Sequence, residues 1–236
     1  MAEVLERAGC EIDFRPDQTC CGQPAFNSGY PEEARRVADH FARVFDGAEY
    51  VVVSSGSCTS MLLHHGGAGS RAGEVAAMPP SRLSVYGAEA GNAAGSPARP
   101  PAPRIFEFST FLTDVLKIDD VGASLDRVVT YHDSCHALRE LKIKDAPRRL
   151  LSKVRGLRLA EMDAAEECCG FGGTFSVKFP DVSGAMARTK IESIERTGAD
   201  TVVSIDSSCL MQLQGVLSRA GSKIRTMHLA EVLASR

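Results

Sequence analysis

Apolar positions along this chain recur with two periods, and the switching between them predicts strands that feed helices. The opening Ala2-Glu3-Val4-Leu5-Glu6-Arg7 places two apolar residues among charges and reads as a short amphipathic helix. A helical period over 31–45 is followed by the β-branched run Tyr50-Val51-Val52-Val53, which predicts a strand. That strand ends in the small-residue turn Ser54-Ser55-Gly56-Ser57, which delivers Cys58 to the start of a helix over 59–65. The same order returns later: a helix over 182–196, the strand Thr201-Val202-Val203-Ser204, the turn ending in Ser207-Ser208-Cys209, and a helix over 210–219. Segments 104–116 and 223–233 each read as a short strand running into a last helix, and 127–131 as a strand running into His132-Asp133-Ser134-Cys135-His136.

This recurrence is an internal repeat. Asp17-Gln18-Thr19-Cys20-Cys21-Gly22 is echoed by Ala165-Glu166-Glu167-Cys168-Cys169-Gly170, 148 residues on, and Cys58 by Cys209, 151 residues on. Asp114-Val115-Leu116 matches Glu231-Val232-Leu233 at an offset of only 117, so the first copy carries about 34 additional residues. They fall in 66–103, a stretch of Gly, Ala, Ser, Pro and Arg without apolar periodicity, read as a low-complexity, disordered insert dispensable for the fold. Strands alternating with helices predict an α/β fold of two pseudo-twofold-related cysteine-rich units, each a small, mostly parallel sheet flanked by helices. Residues 1–65 and 104–120 are expected to form the first unit and 121–236 the second. The first copy would place its counterpart of Cys135 before residue 1, so the first unit is expected to be truncated at its amino terminus.

Composition narrows the function classes. A chain of 236 residues with 44% hydrophobic and 24% charged residues can bury one large core or two small ones. Its net charge of −3, with no Lys/Arg run, argues against a nucleic-acid partner. No apolar stretch approaches the length of a membrane span and no leader pattern opens the chain, so the protein is expected in the cytoplasm. There, eight cysteines point to metal binding or redox chemistry rather than to structural disulfides.

Three loops of the second copy present Cys135, the Cys168-Cys169 pair and Cys209 at strand ends, where parallel sheets bind ligands. Four soft thiolates suit an iron–sulfur cluster or tetrahedral zinc. Gly170, Gly172 and Gly173 would admit close backbone and amide donors to such a centre. The first copy offers Cys20, Cys21 and Cys58 as metal ligands, three thiols against four. Cys10 reads as a buried core cysteine. His132 and His136 flank Cys135 as a ligand, a proton carrier or an oriented neighbour, while Asp133 or Ser134 is equally suited to cap the helix that follows. A strained vicinal disulfide between Cys168 and Cys169 is the non-metal alternative. Gly170-Phe171-Gly172-Gly173 lacks the dinucleotide-binding register, and no ferredoxin run of closely spaced cysteines occurs.

The spacing of the second copy, 32 residues between Cys135 and Cys168 and 39 between Cys169 and Cys209, resembles the cysteine-rich CCG domain family of heterodisulfide reductase and glycolate oxidase iron–sulfur subunits. The segments 18–30, 55–58 and 131–141 are similar to the lactate-utilization branch of that family. The resemblance implies an iron–sulfur electron-transfer subunit, not active alone, of a complex that oxidises L-lactate to pyruvate. It implies a 4Fe–4S cluster at Cys135, Cys168, Cys169 and Cys209, with zinc in one half as the alternative. It also implies partner subunits that include a ferredoxin-like iron–sulfur protein. The fuller family pattern has one more cysteine three residues before the last, where this chain has Ser55 and Asp206. Two other functions remain open on the residues: a thiol–disulfide redox subunit of the heterodisulfide reductase kind, and a structural zinc scaffold.

Overall fold

The computed structural model of the protein describes residues 1–65 and 103–236. The insert expected at 66–103 lies, apart from Pro103, outside the described residues. In chain order the elements are α1 (Ala2–Arg7), α2 (Gln23–Asn27), α3 (Pro31–Val44), β1 (Tyr50–Val53), α4 (Gly56–His64), β2 (Arg104–Glu107) and α5 (Phe108–Thr110), the last running into a π turn at Phe111–Val115. There follow β3 (Ser124–Tyr131), α6 (Cys135–Arg139), α7 (Asp145–Leu151), β4 (Arg155–Leu159), α8 (Thr174–Lys178) and α9 (Pro180–Arg196). The chain closes with β5 (Thr201–Ser204), α10 (Ser207–Arg219), β6 (Arg225–His228) and α11 (Leu229–Ala234). Packing divides these residues into a larger unit of Met1–Ile12, Ser54–Ser57 and Glu107–Arg236, and a smaller one of Asp13–Val53 with 58–65 and 103–106.

In the smaller unit β1 and β2 form a two-stranded sheet. Helix α3 starts at Pro31 with Glu32 and Glu33 in its first turn and ends with Arg43, an order that complements the helix dipole. Its apolar stripe buries Ala34 and joins Phe41 and Phe45 to Cys21, Val51, Met61, Leu62 and Ile105 in one core.

The larger unit is built on a four-stranded sheet of order β4-β3-β5-β6, parallel at each pairing. Register sets Val129 opposite Thr201 and Tyr131 opposite Val203, and Val203 opposite Met227. Strand β5 is buried along its whole length, which is why it reads as a continuous β-branched run instead of an alternating one. Val202 packs with Ile191 and Ile194 of α9 and with Leu213 and Leu217 of α10. Helix α11 begins with a capping box: the His228 ring accepts from the Ala230 amide, and Glu231 accepts from the His228 amide.

Helices α4 and α10 begin three residues earlier than their apolar period predicts. A first helical turn needs no buried side chain, so Gly56-Ser57 and Ser207-Ser208 carry no periodic signal while forming it. The two cysteines therefore lie inside first turns and not ahead of them. Strand β4, whose two arginines and glycine mask its period, and the short helices α2, α7 and α8 have no counterpart in the sequence reading.

Candidate metal centre

Three loops at the carboxyl ends of β3 and β5 and ahead of α8 meet in the larger unit. Backbone bonds tie them together: the His132 amide donates to Val203 O at 2.9 Å and the Asp133 amide to Ala165 O at 3.1 Å. The Ser204 hydroxyl donates to His132 O at 3.0 Å. Cys135 is the first residue of α6 and Cys209 the third of α10, so both thiols sit where the helix dipole favours negative charge. Gly170 has φ +84°, and a Cβ there would come within 2.5 Å of Ser183 O in α9. Only glycine lets the cysteine pair pack this closely on the helix. Gly22 repeats the arrangement in the smaller unit, with φ +91° and a Cβ position 3.2 Å from Ala34 O in α3.

The four thiols of this unit form a chain of contacts. Cys135 interacts with Cys168, Cys168 with Cys169, and Cys169 with Cys209. The Cys168 thiol is held below the ordinary thiol range, by the neighbouring Cys135 and Cys169 thiols first and then by the Gly170 amide, which donates to its sulfur at 3.4 Å. Cys135 and Cys169 are pushed up in turn, by the neighbouring Cys168 thiol first and then by burial. Beside them His132 is fully buried, and its pKa is lowered to about 3 by that burial and by the charge of Lys190. Its ring is neutral, and neither ring nitrogen has a hydrogen-bond partner. A nitrogen of His132 and the sulfurs of Cys169 and Cys209 lie within 4.8 Å of one another. Lys190, also buried, donates to the carbonyls of Ala164 and Ala165, just ahead of the cysteine pair.

In the smaller unit Cys21 is buried and hydrogen-bonds to Cys58, which together with burial drives its pKa up. Cys20 is exposed beside them. Cys10, expected in a core, is only half-buried and belongs to the segment that packs with the larger unit. The reason is local: α1 stops at Arg7, and Gly9 in a left-handed turn leads the chain out to the surface before Cys10 can point inward. Among the described residues all eight cysteines are free thiols, Cys168 and Cys169 included.

A family model described as "Cysteine-rich domain", CCG, matches residues 1–63 and 129–214, covering both copies of the repeat. Among curated proteins, lactate utilization protein A of Geobacillus sp. (strain WCH70) is 46% identical over 236 residues, spanning 99% of this chain and 90% of its own length. The proteins of that name from Bacillus cytotoxicus and Geobacillus kaustophilus are 44% and 45% identical over the same shares. The chain belongs to the lactate utilization protein A family of CCG-domain proteins. Its two CCG repeats account for the mixed helix and strand architecture with small sheets flanked by helices.

Within this family member the position three residues before the last cysteine of each repeat is not a spare ligand. Asp206 is buried and accepts from the Ser55 hydroxyl at 2.7 Å, the Ser57 hydroxyl at 2.8 Å and the Ser57 amide at 3.1 Å, and from the Ser134 hydroxyl. Ser134 stands at the N-cap of α6, but its hydroxyl is taken by Asp206, and the Asp133 carboxylate is taken by Arg148 at 2.8 Å on both oxygens. Neither residue caps α6 through its side chain, because a buried charged partner outcompetes a helix-end amide. This serine and aspartate network escaped sequence reasoning; the serines carry no pattern, and only the equivalence of Ser55 with Asp206 hinted at it. Arg148 also binds Glu161 and lies over the Tyr131 ring at 4.9 Å, which makes it a structural cation.

The donor set suits a metal ion or an iron–sulfur centre: the thiols of Cys169 and Cys209 close to a buried imidazole whose nitrogens lack a protein partner, Cys135 and Cys168 neighbouring them, and an amide aimed at a sulfur. No described helix is long and apolar enough to cross a membrane.

Proposed function

We propose that this chain is an iron–sulfur electron-transfer subunit of a complex that oxidises L-lactate to pyruvate, with a 4Fe–4S centre held by Cys135, Cys168, Cys169 and Cys209. The observation that carries the reading is the run of neighbouring thiols, with Cys169 and Cys209 buried next to an unpartnered imidazole, in a protein whose relatives are named for lactate utilization. An iron–sulfur centre, when bound, accepts and passes on single electrons. The chain's own groups suit that task. The amide of Gly170 and the amino ends of α6 and α10 place positive dipoles on the sulfurs, and Lys190 adds a buried cation behind the pair, all of which favour extra negative charge on reduction. Removing two electrons and two protons from lactate requires a hydride or proton acceptor and further carriers. The proposed partners are the other subunits of the complex, including a ferredoxin-like iron–sulfur protein. Cys20, Cys21 and Cys58 are assigned as the ligands of a second, weaker metal site.

Anaerobic purification followed by iron, acid-labile sulfide and zinc analysis tests the reading. Brown protein with iron and sulfide in matching amounts is expected. Colourless protein that carries zinc would overturn the electron-transfer role in favour of a structural scaffold, and a metal-free protein whose thiol count changes on oxidation would overturn it in favour of thiol–disulfide chemistry.

A further inference from the structure

We propose that His132 is itself a ligand of the iron–sulfur centre in the larger unit, a fifth, nitrogen donor beside the four thiols. The inference rests on the iron–sulfur reading above and goes beyond it by naming a nitrogen donor.

Burial is the first argument. A neutral imidazole has one donor and one acceptor nitrogen, and both normally find partners inside a protein. His132 is 0% exposed, and both Nδ1 and Nε2 lack one. Leaving two polar atoms unpaired in a core is unfavourable, so the position needs a compensating partner. The second argument is direction. The ring lies on the thiol side, with one nitrogen within 4.8 Å of the Cys169 and Cys209 sulfurs. With metal bonds of about 2.0 Å to nitrogen and 2.3 Å to sulfur, a nitrogen this close to both sulfurs reaches an iron that either of them holds after small movements. The third argument is rigidity. The backbone of His132 is held on both sides, its amide on Val203 O and its carbonyl by the Ser204 hydroxyl, so the ring is presented by two sheet strands and not by a mobile loop. His136, the other histidine of the segment, instead lies partly exposed beside Cys135, with Nδ1 3.6 Å from its sulfur, and faces Glu140 across the helix turn.

A neutral imidazole adds a donor without the negative charge that a fifth thiolate would bring, which keeps the reduction potential above that of an all-thiolate centre. His132 would therefore set the potential as well as hold the iron.

The test uses the full chain, purified anaerobically from cells grown on histidine labelled with nitrogen-15 in the ring, reduced, and examined by pulsed electron paramagnetic resonance. A strong nitrogen-15 coupling to the centre is expected. It should persist in His136→Ala and vanish in His132→Cys, and the latter should keep its iron while its midpoint potential falls. Protein that contains iron and sulfide but shows no histidine coupling overturns this inference and leaves the proposed function standing. Protein without iron and sulfide overturns both. The labelled wild-type measurement decides the matter even if the His132→Cys variant fails to fold.

Discussion

The hydroxyl of Ser55 donates a 2.7 Å hydrogen bond to Oδ1 of Asp206, a residue 151 positions away. Both stand three residues before the last cysteine of their repeat, Cys58 and Cys209, so equivalent positions of the two copies bond to each other. Asp206 is buried and collects three serine hydroxyls and one amide, enough donors to hold its charge without water.

Asp206→Ala removes that shared acceptor from Ser55, Ser57 and Ser134 at once and should cost about 3 to 5 kcal/mol. Asp206→Asn keeps one oxygen but turns an amide group toward serine donors, and should cost about half as much. Urea unfolding of the two variants measures this. A loss below about 1 kcal/mol for Asp206→Ala would show that the network contributes little.

Iron content should separate the two units. Cys169 is buried within a set of four thiols, whereas the smaller unit brings Cys21 and Cys58 together with an exposed Cys20. Because metal binding in such sites is coupled to folding, Cys169→Ser should lose most bound iron and destabilise the larger unit, while Cys21→Ser should change iron content little. Equal losses in the two variants would mean that a further donor completes the smaller site.

Glu107 introduces a pH dependence of stability. Burial raises its pKa from 4.5 to about 7, despite bonds from the Ser109 and Thr110 amides and the Ser109 hydroxyl. Between pH 4.5 and 7 the folded chain keeps a proton there that the unfolded chain has released, so stability falls as pH rises through this window and levels off above it. The drop attributable to Glu107 is at most about 3 kcal/mol. Glu107→Gln does not titrate and should flatten the profile over that range in denaturation curves taken at stepped pH. An unchanged slope would assign the dependence to another group.

Two glycines of the second cysteine loop should respond differently to the same change. Gly170→Ala places a Cβ 2.5 Å from Ser183 O at a φ of +84° and should cost about 2 to 4 kcal/mol. Gly173 meets no atom within 4 Å, but its φ of +59° with ψ −114° lies outside the left-handed region, so Gly173→Ala should cost backbone strain alone, about 1 to 3 kcal/mol. Thermal unfolding of both variants checks the two losses, and a smaller shift for Gly170→Ala than for Gly173→Ala would show that the close approach to α9 relaxes cheaply.

By itself the sequence determined the alternation of strands and helices, the twofold repetition of the Cys-Cys-Gly segment, and the delivery of single cysteines from strand ends. Each of these is written locally, in periods of burial along a few consecutive residues or in chemically distinctive residues at recurring offsets. It missed β4, where Arg155, Gly156 and Arg158 interrupt the period of an outer strand, and it left His132, Asp133 and Ser134 as residues with several possible uses. Tertiary structure alone decided those uses. Placing β3 between β4 and β5 turns the His132 ring into the core beside the sulfurs, sends Asp133 to Arg148, and sets Ser134 against Asp206. Partners 15 and 72 positions apart are chosen by strand order and register, and the polarity of a short segment, the same for a cap, a ligand and a buried ion pair, carries no record of them.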